Sequence, residues 1–151
     1  MKSLKIACFD VYYYREHACA CCLVFEIEPY ERILSRYSVE VKPIALYIPG
    51  KFYRRELPGI LKVYGRVKEE IDLLLVDGYV FLENDRKGLG GHLFEALRGK
   101  TPVIGVAKSF YRGCRNYREV YRGKSGRPLF VSSIGVPLPY AAELIKNLKG
   151  R

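Results

Sequence analysis

Three strand-type runs follow one another before any helical period appears, and that order excludes most folds. Residues 4–13 (LKIACFDVYY) and 19–27 (CACCLVFEI) read as strands joined across the polar Arg15-Glu16-His17 turn, and residues 37–48 make a third β-rich run. Short links between consecutive strands predict an antiparallel meander. The period then changes. In RELPGILKVYGRVKEEI the apolar positions Leu57, Ile60, Leu61, Tyr64, Val67 and Ile71 mark one face of an amphipathic helix, with Pro58 near its first turn. Residues 73–76 (LLLV) lack alternation, as expected of a strand buried on both faces. A helix over 88–98, a buried strand in TPVIGVAK, a short strand in PLFVSSI and a closing helix over 139–148 complete the order. Three meandering strands followed by alternating helix and strand predict an α/β fold. Its mixed sheet has three antiparallel strands followed by parallel strands, with helices on both faces.

The chain has 151 residues, 49% of them hydrophobic, which suits a single domain over 1–151 with a core of its own. No apolar run approaches the roughly 20 residues of a membrane span, and no signal-peptide pattern opens the chain, so no membrane partner and a cytoplasmic location are expected. Of Cys8, Cys19, Cys21, Cys22 and Cys114, Cys19 and Cys22 form a C-x-x-C, but with no second cysteine pair and no nearby histidine ligand the small apolar neighbours predict buried strand filler. Lysine and arginine outnumber acids by 26 to 16, a net charge of +10. Much of that excess lies in 108–127, where Lys108, Arg112, Arg115, Arg118, Arg122, Lys124 and Arg127 face one acid, Glu119. Tyr111, Tyr117 and Tyr121 are interleaved with them. Basic groups that neutralise phosphates beside rings that stack on bases point to nucleic acid, DNA or RNA, single- or double-stranded.

Three carboxylates stand where polar patterning does not explain them. Asp10 interrupts an apolar strand, where an ionised group is costly unless paired or bound to a cation. Glu56 opens the first helix. Asp77 ends the buried strand in an Asp-Gly pair, which is also a common turn signal. Were the first and fourth strands neighbours, Asp10 and Asp77 would lie side by side, and a helix packed over them could lower Glu56 to the same place. Three oxygen donors suit Mg²⁺ or Mn²⁺, and such metals serve phosphodiester cleavage. Caps, turns and surface pairs are the competing explanation.

These residues, taken with their flanks, resemble the endonuclease V family. FDVYY around Asp10 is similar to its first-strand aspartate motif, and YIPGKFYRREL to its Y-x-P followed by R-E, with Tyr47, Pro49, Arg55 and Glu56 in register. LLLVDGYVFLENDRKGLGGHLF resembles its strand-Asp-Gly motif, with Asp77, Gly78, Gly88 and His92, and TPVIGVAKS its strand ending in a lysine, Lys108. The resemblance covers nearly the whole chain and implies an RNase H-like fold. It implies that Asp10, Glu56 and Asp77 hold a divalent metal and that Lys108 approaches the scissile phosphate. Tyr47, Ile48 and Pro49 would belong to the wedge beside the damaged base, with Arg55 and Gly78 among the nucleic-acid-binding residues. The implied activity is hydrolysis near inosine in DNA or RNA, one bond displaced to its 3′ side.

Two departures bear on that activity. Glu83 replaces a family histidine near the metal, which makes it a further candidate ligand whose charge would raise a neighbouring carboxyl's pKa. Val80 replaces a pocket glycine and is expected to weaken inosine discrimination. His92 reads as a helix-face residue and His17 as a solvated turn residue. The alternatives to an inosine endonuclease are a catalytically weakened nucleic-acid-binding protein of the same fold and a structure-selective nuclease. A monomer or weak dimer is expected.

Overall fold

Strict alternation of buried and half-buried residues makes β2 (His17–Glu26) a strand with one core face, carrying Ala18, Ala20, Cys22 and Val24. It pairs antiparallel with β1 (Lys5–Tyr14) and with β3 (Arg32–Val41), giving the expected meander. The computed structural model describes residues 3–14, 17–27, 30–41 and 53–148. After β3 come α1 (Tyr53–Tyr64), β4 (Leu73–Asp77), a 3-10 turn at Glu83–Asp85, α2 (Leu89–Ala96), β5 (Val103–Ala107), β6 (Arg118–Val120), β7 (Leu129–Ile134) and α3 (Leu138–Asn147). The seven strands are ordered β3-β2-β1-β4-β5-β7-β6 in one mixed sheet. Two compact units divide the chain, Met1–Leu74 and Leu75–Arg151, with the boundary inside β4.

In the first unit α1 turns Glu56, Gly59, Ile60 and Val63 inward, the i, i+3, i+4, i+7 spacing of one helix face. Gly59 lies against Ala20 and Val41, and Tyr64 meets Phe9 edge-on at 5.8 Å between ring centroids. The helix is shorter than the periodicity of Val67 and Ile71 suggests. It stops at Gly65, a residue that costs a helix about 1 kcal/mol relative to Ala. Pro58 sits in the second turn rather than the first, on the exposed side. Beyond the helix, the hydroxyls of Ser35 and Tyr37 both donate to the Glu69 carboxylate, the latter at 2.7 Å. These bonds, the one from Ser35 foremost, hold Glu69 below the usual carboxylate range and fasten the α1–β4 connection to β3. A reciprocal pair then registers the entry to β4 with the start of β1. Asp72 N donates to Lys5 O at 2.8 Å, and Lys5 N to Asp72 Oδ2 at 2.9 Å.

In the second unit β7 runs antiparallel to β5, and β6 antiparallel to β7. The expectation that only parallel strands follow the meander therefore needs correcting at β7, and β6 arises inside what reads as a loop. A parallel return needs a crossover, usually a helix. Residues 108–128 contain none, so the chain comes back antiparallel. Among the described residues no helix is long and apolar enough to cross a membrane.

The cysteine expectation holds for Cys22 and Cys114, which are buried, whereas Cys8, Cys19 and Cys21 are half-buried. Burial pushes the Cys21 thiol up to about 11 and the Cys22 thiol up to about 12, leaving both protonated and unreactive at neutral pH. His17 is not a solvated turn residue. It begins β2, stacks on Tyr14 at 5.7 Å and places Nδ1 2.9 Å from Glu40 Oε1.

Candidate active site and nucleic-acid interface

The end of β4 is built by burial. Leu73, Leu74, Leu75 and Val76 are at most 7% exposed, and the next residue, Asp77, is exposed. Gly78 then takes φ 147°, a conformation side chains rarely adopt, while its N donates to Val106 O at 3.0 Å. Its carbonyl rests against Gly105, where an added Cβ would lie 2.4 Å from Gly78 O. Ser132 Oγ, fully buried, accepts from Val80 N at 2.9 Å. Thus the backbone that follows Asp77 is held by β5 and by Ser132 of β7.

Val80 does not line an open pocket. Its side chain is 0% exposed and lies under α2, with Cγ2 2.8 Å from where a Gly90 Cβ would stand. It is core. Val80→Ala is expected to cost about 2 kcal/mol through the cavity it leaves, read as a lowered denaturant midpoint, with no gain in inosine discrimination.

In the first unit Asp10 is exposed and pairs in register with Cys21. The Tyr12 hydroxyl bonds to it, and this is the main reason the Tyr12 phenol is raised above its ordinary pKa. Asp10 and Tyr12 share one face of β1, whereas α1 packs on the face of Val11, Tyr13 and Ala20. Glu56 is 7% exposed on that helix. Its neighbour Arg55 lies with Cζ 3.9 Å from the centroid of the Tyr13 ring, a cation–π contact that gives this arginine a packing role in the fold. Among the described residues, no three or more His, Cys, Asp or Glu side chains stand gathered as a metal-binding group. The donor chemistry of Asp10, Glu56 and Asp77, three carboxylates, is that of hard-cation ligands.

Glu83 has a different partner from the one expected. Arg86 pairs with its Oε1, with Nε at 3.0 Å, and this contact holds the Glu83 carboxyl below its ordinary range. Its charge is met by Arg86, and beyond that pair Glu83 adds to the rise of the Cys114 thiol, which comes first from burial. Arg86 also reaches the Tyr111 hydroxyl at 3.4 Å. Further bonds tie the 81–87 loop to the basic loop, from Asn116 Nδ2 to Asp85 Oδ1 and from Cys114 Sγ to Phe81 O at 3.3 Å.

Lys108 is exposed at the end of β5, and Arg112, Arg115 and Arg118 are exposed beyond it. Arg122 is half-buried and donates from Nη2 to Leu148 O, closing the end of α3. Tyr111 and Tyr117 do not stand free among these charges. They pack against the cluster of Tyr79, Leu82, Ala107, Cys114 and Phe130. The sequence reading missed two residues here, Tyr79 and Phe110. Buried Tyr79 donates to Ser109 O at 2.7 Å and accepts from Tyr111 N at 3.1 Å, and burial pushes its phenol up to about 12. Nothing in the local pattern marks either residue, since a loop has no period. His92 lies half-buried on α2, as a helix-face residue should. Tyr47, Ile48 and Pro49 lie outside the described residues.

Residues 2–144 match the family model described as Endonuclease V. The Endonuclease V of Thermococcus kodakarensis is 32% identical over 149 residues, covering 97% of this chain and 71% of the relative. That of Gloeobacter violaceus is 36% identical over 81 residues, 54% of this chain and only 32% of the relative. Several of the matches thus span well under two thirds of the relatives' own length. Among solved structures, Endonuclease V of Ciona intestinalis, in complex with a DNA containing an inosine followed by a ribo-adenosine, aligns at TM-score 0.80 and 22% identity. The alignment covers 96% of this chain and 77% of that one. Endonuclease V of Streptomyces avermitilis aligns at 0.79 and 24%, covering 91% and 69%. These likenesses establish the fold as that of the Endonuclease V structures, which is RNase H-like.

Proposed function

The chain belongs to the endonuclease V family, and from that premise we propose that it is a divalent-metal-dependent endonuclease. Its reaction is hydrolysis of a phosphodiester bond near inosine in DNA or RNA. The observation that carries the reading is the family match over residues 2–144, a span that includes Asp10, Glu56, Asp77 and Lys108. The inosine-containing DNA held by the Ciona relative supports the substrate. The exposed Lys108, Arg112, Arg115 and Arg118 supply positive charge where a phosphate backbone would lie.

In this reading Asp10, Glu56 and Asp77 would supply the carboxylates for Mg²⁺ or Mn²⁺, which requires Asp10 to reach round from the face of β1 opposite α1. When bound, such an ion activates a water and stabilises charge on the phosphate. Lys108 approaches the scissile phosphate from the end of β5. The arginines orient the strand, and the Tyr47, Ile48 and Pro49 segment acts beside the damaged base. Arg55 and Gly78 act mainly by holding the helix start and the Asp77 backbone.

The test is cleavage of labelled inosine and control oligonucleotides, single- and double-stranded, with Mg²⁺, Mn²⁺ or EDTA. Metal-dependent cutting confined to inosine strands is the expected outcome. Binding without cutting would replace this reading with a nucleic-acid-binding protein. Cutting that ignores inosine but follows strand structure would replace it with a structure-selective nuclease.

A further inference from the structure

Phe110 is 51% exposed, an apolar ring left in solvent on the most basic stretch of the chain. A phenyl ring has no polar atom to satisfy, so this exposure is unfavourable unless a partner covers it. Lys108 and Arg112, two residues to either side, are also exposed. Any partner must therefore combine a flat apolar face with negative charge close by. An unpaired nucleotide has both, its base offering the face and its phosphates the charge.

The ring is also held in place. Tyr117 meets it edge-on at 5.5 Å between centroids and Phe130 tilts against it at 5.8 Å, so one side rests on the hydrophobic cluster. Its backbone is pinned on both sides by one phenol, since Tyr79 OH donates to Ser109 O and accepts from Tyr111 N. A side chain with such support loses little freedom when a base stacks on it. Tyr111 and Tyr117 are spent on packing; Phe110 is the exposed ring between Lys108 and Arg112, and Tyr121, equally exposed, follows β6.

We propose that Phe110 is a base-stacking platform, and that the basic surface therefore binds an unpaired base, in single-stranded or locally opened nucleic acid, in preference to intact duplex. This rests on the nuclease reading above. Stacking on a protein ring is sequence-tolerant and adds to phosphate contacts without altering their number.

Fluorescence anisotropy with a short oligothymidine strand, its oligouridine counterpart and a blunt duplex, across a salt series, tests it. Phe110→Ala should weaken single-strand binding by roughly tenfold, leave duplex binding unchanged and preserve the slope of log K against log salt. Phe110→Leu keeps apolar packing on Tyr117 and Phe130 but has no π face, so it should fall with Phe110→Ala, while Phe110→Trp should retain wild-type affinity. Leucine binding as well as phenylalanine, or equal losses for duplex and single strand, would overturn the stacking role while leaving the nuclease reading intact. A wild-type protein that binds no oligonucleotide would overturn both. Loss on the uridine strand alone or the thymidine strand alone would also count against it, since every base offers a π face.

Discussion

Asp77→Asn is expected to lower metal-dependent cleavage by about a thousandfold, the equivalent of roughly 4 kcal/mol of lost charge stabilisation. The melting temperature should hardly move. Asp77 is exposed at the end of a strand whose other four residues are buried, and burial of Leu73 to Val76 supplies most of what this strand gives to stability. Replacing an oxygen by an amide nitrogen keeps the volume and removes the charge a hard cation requires. A thermal-shift titration with Mn²⁺ supplies a readout independent of activity. The stabilisation that wild type gains from the ion should be absent in the variant. Should cleavage persist, or should it vanish together with the fold, Asp77 is not a metal ligand.

Gly105→Ala should lower stability by about 3 kcal/mol or more, which for a chain of this size lowers the melting temperature by about 6–12 °C. The added Cβ would stand 2.4 Å from Gly78 O, 2.9 Å from Ser132 Oγ and 3.2 Å from Val80 N. Two of these three atoms are backbone and cannot rotate away. Relief requires β5 to separate from the Asp77-Gly78 end of β4, or the Val80–Ser132 hydrogen bond to break. The same shift would move Asp77, so cleavage per folded molecule should fall as well. Differential scanning calorimetry beside a single-turnover assay measures both. A variant that melts like wild type would mean the strands are more loosely held than these distances imply.

Much of the fold was legible because its signals are local. Four unbroken apolar residues before Asp77 announced a strand covered on both faces, and the structure buries all four. Short links between three consecutive strand-type runs announced the meander, and β1, β2 and β3 pair antiparallel in that order. Where the reading departed from the structure, the missing information came from another part of the chain. Val80 reads as a pocket residue by motif, yet α2 closes over it. Glu83 reads as an added site charge, yet Arg86 takes it.

The sequence by itself determined the order of strands and helices apart from β6, the buried strand that ends in Asp77, and the basic character of 108–127. Side-chain period follows from covalent geometry and charge from composition, so neither needs a partner to be visible. Only the tertiary structure decided that β7 returns antiparallel, that Tyr111 and Tyr117 turn inward, and that Phe110 faces solvent. A loop has no period of its own. Its side chains point where distant residues, here Tyr79 and Phe130, leave room or supply a hydrogen bond.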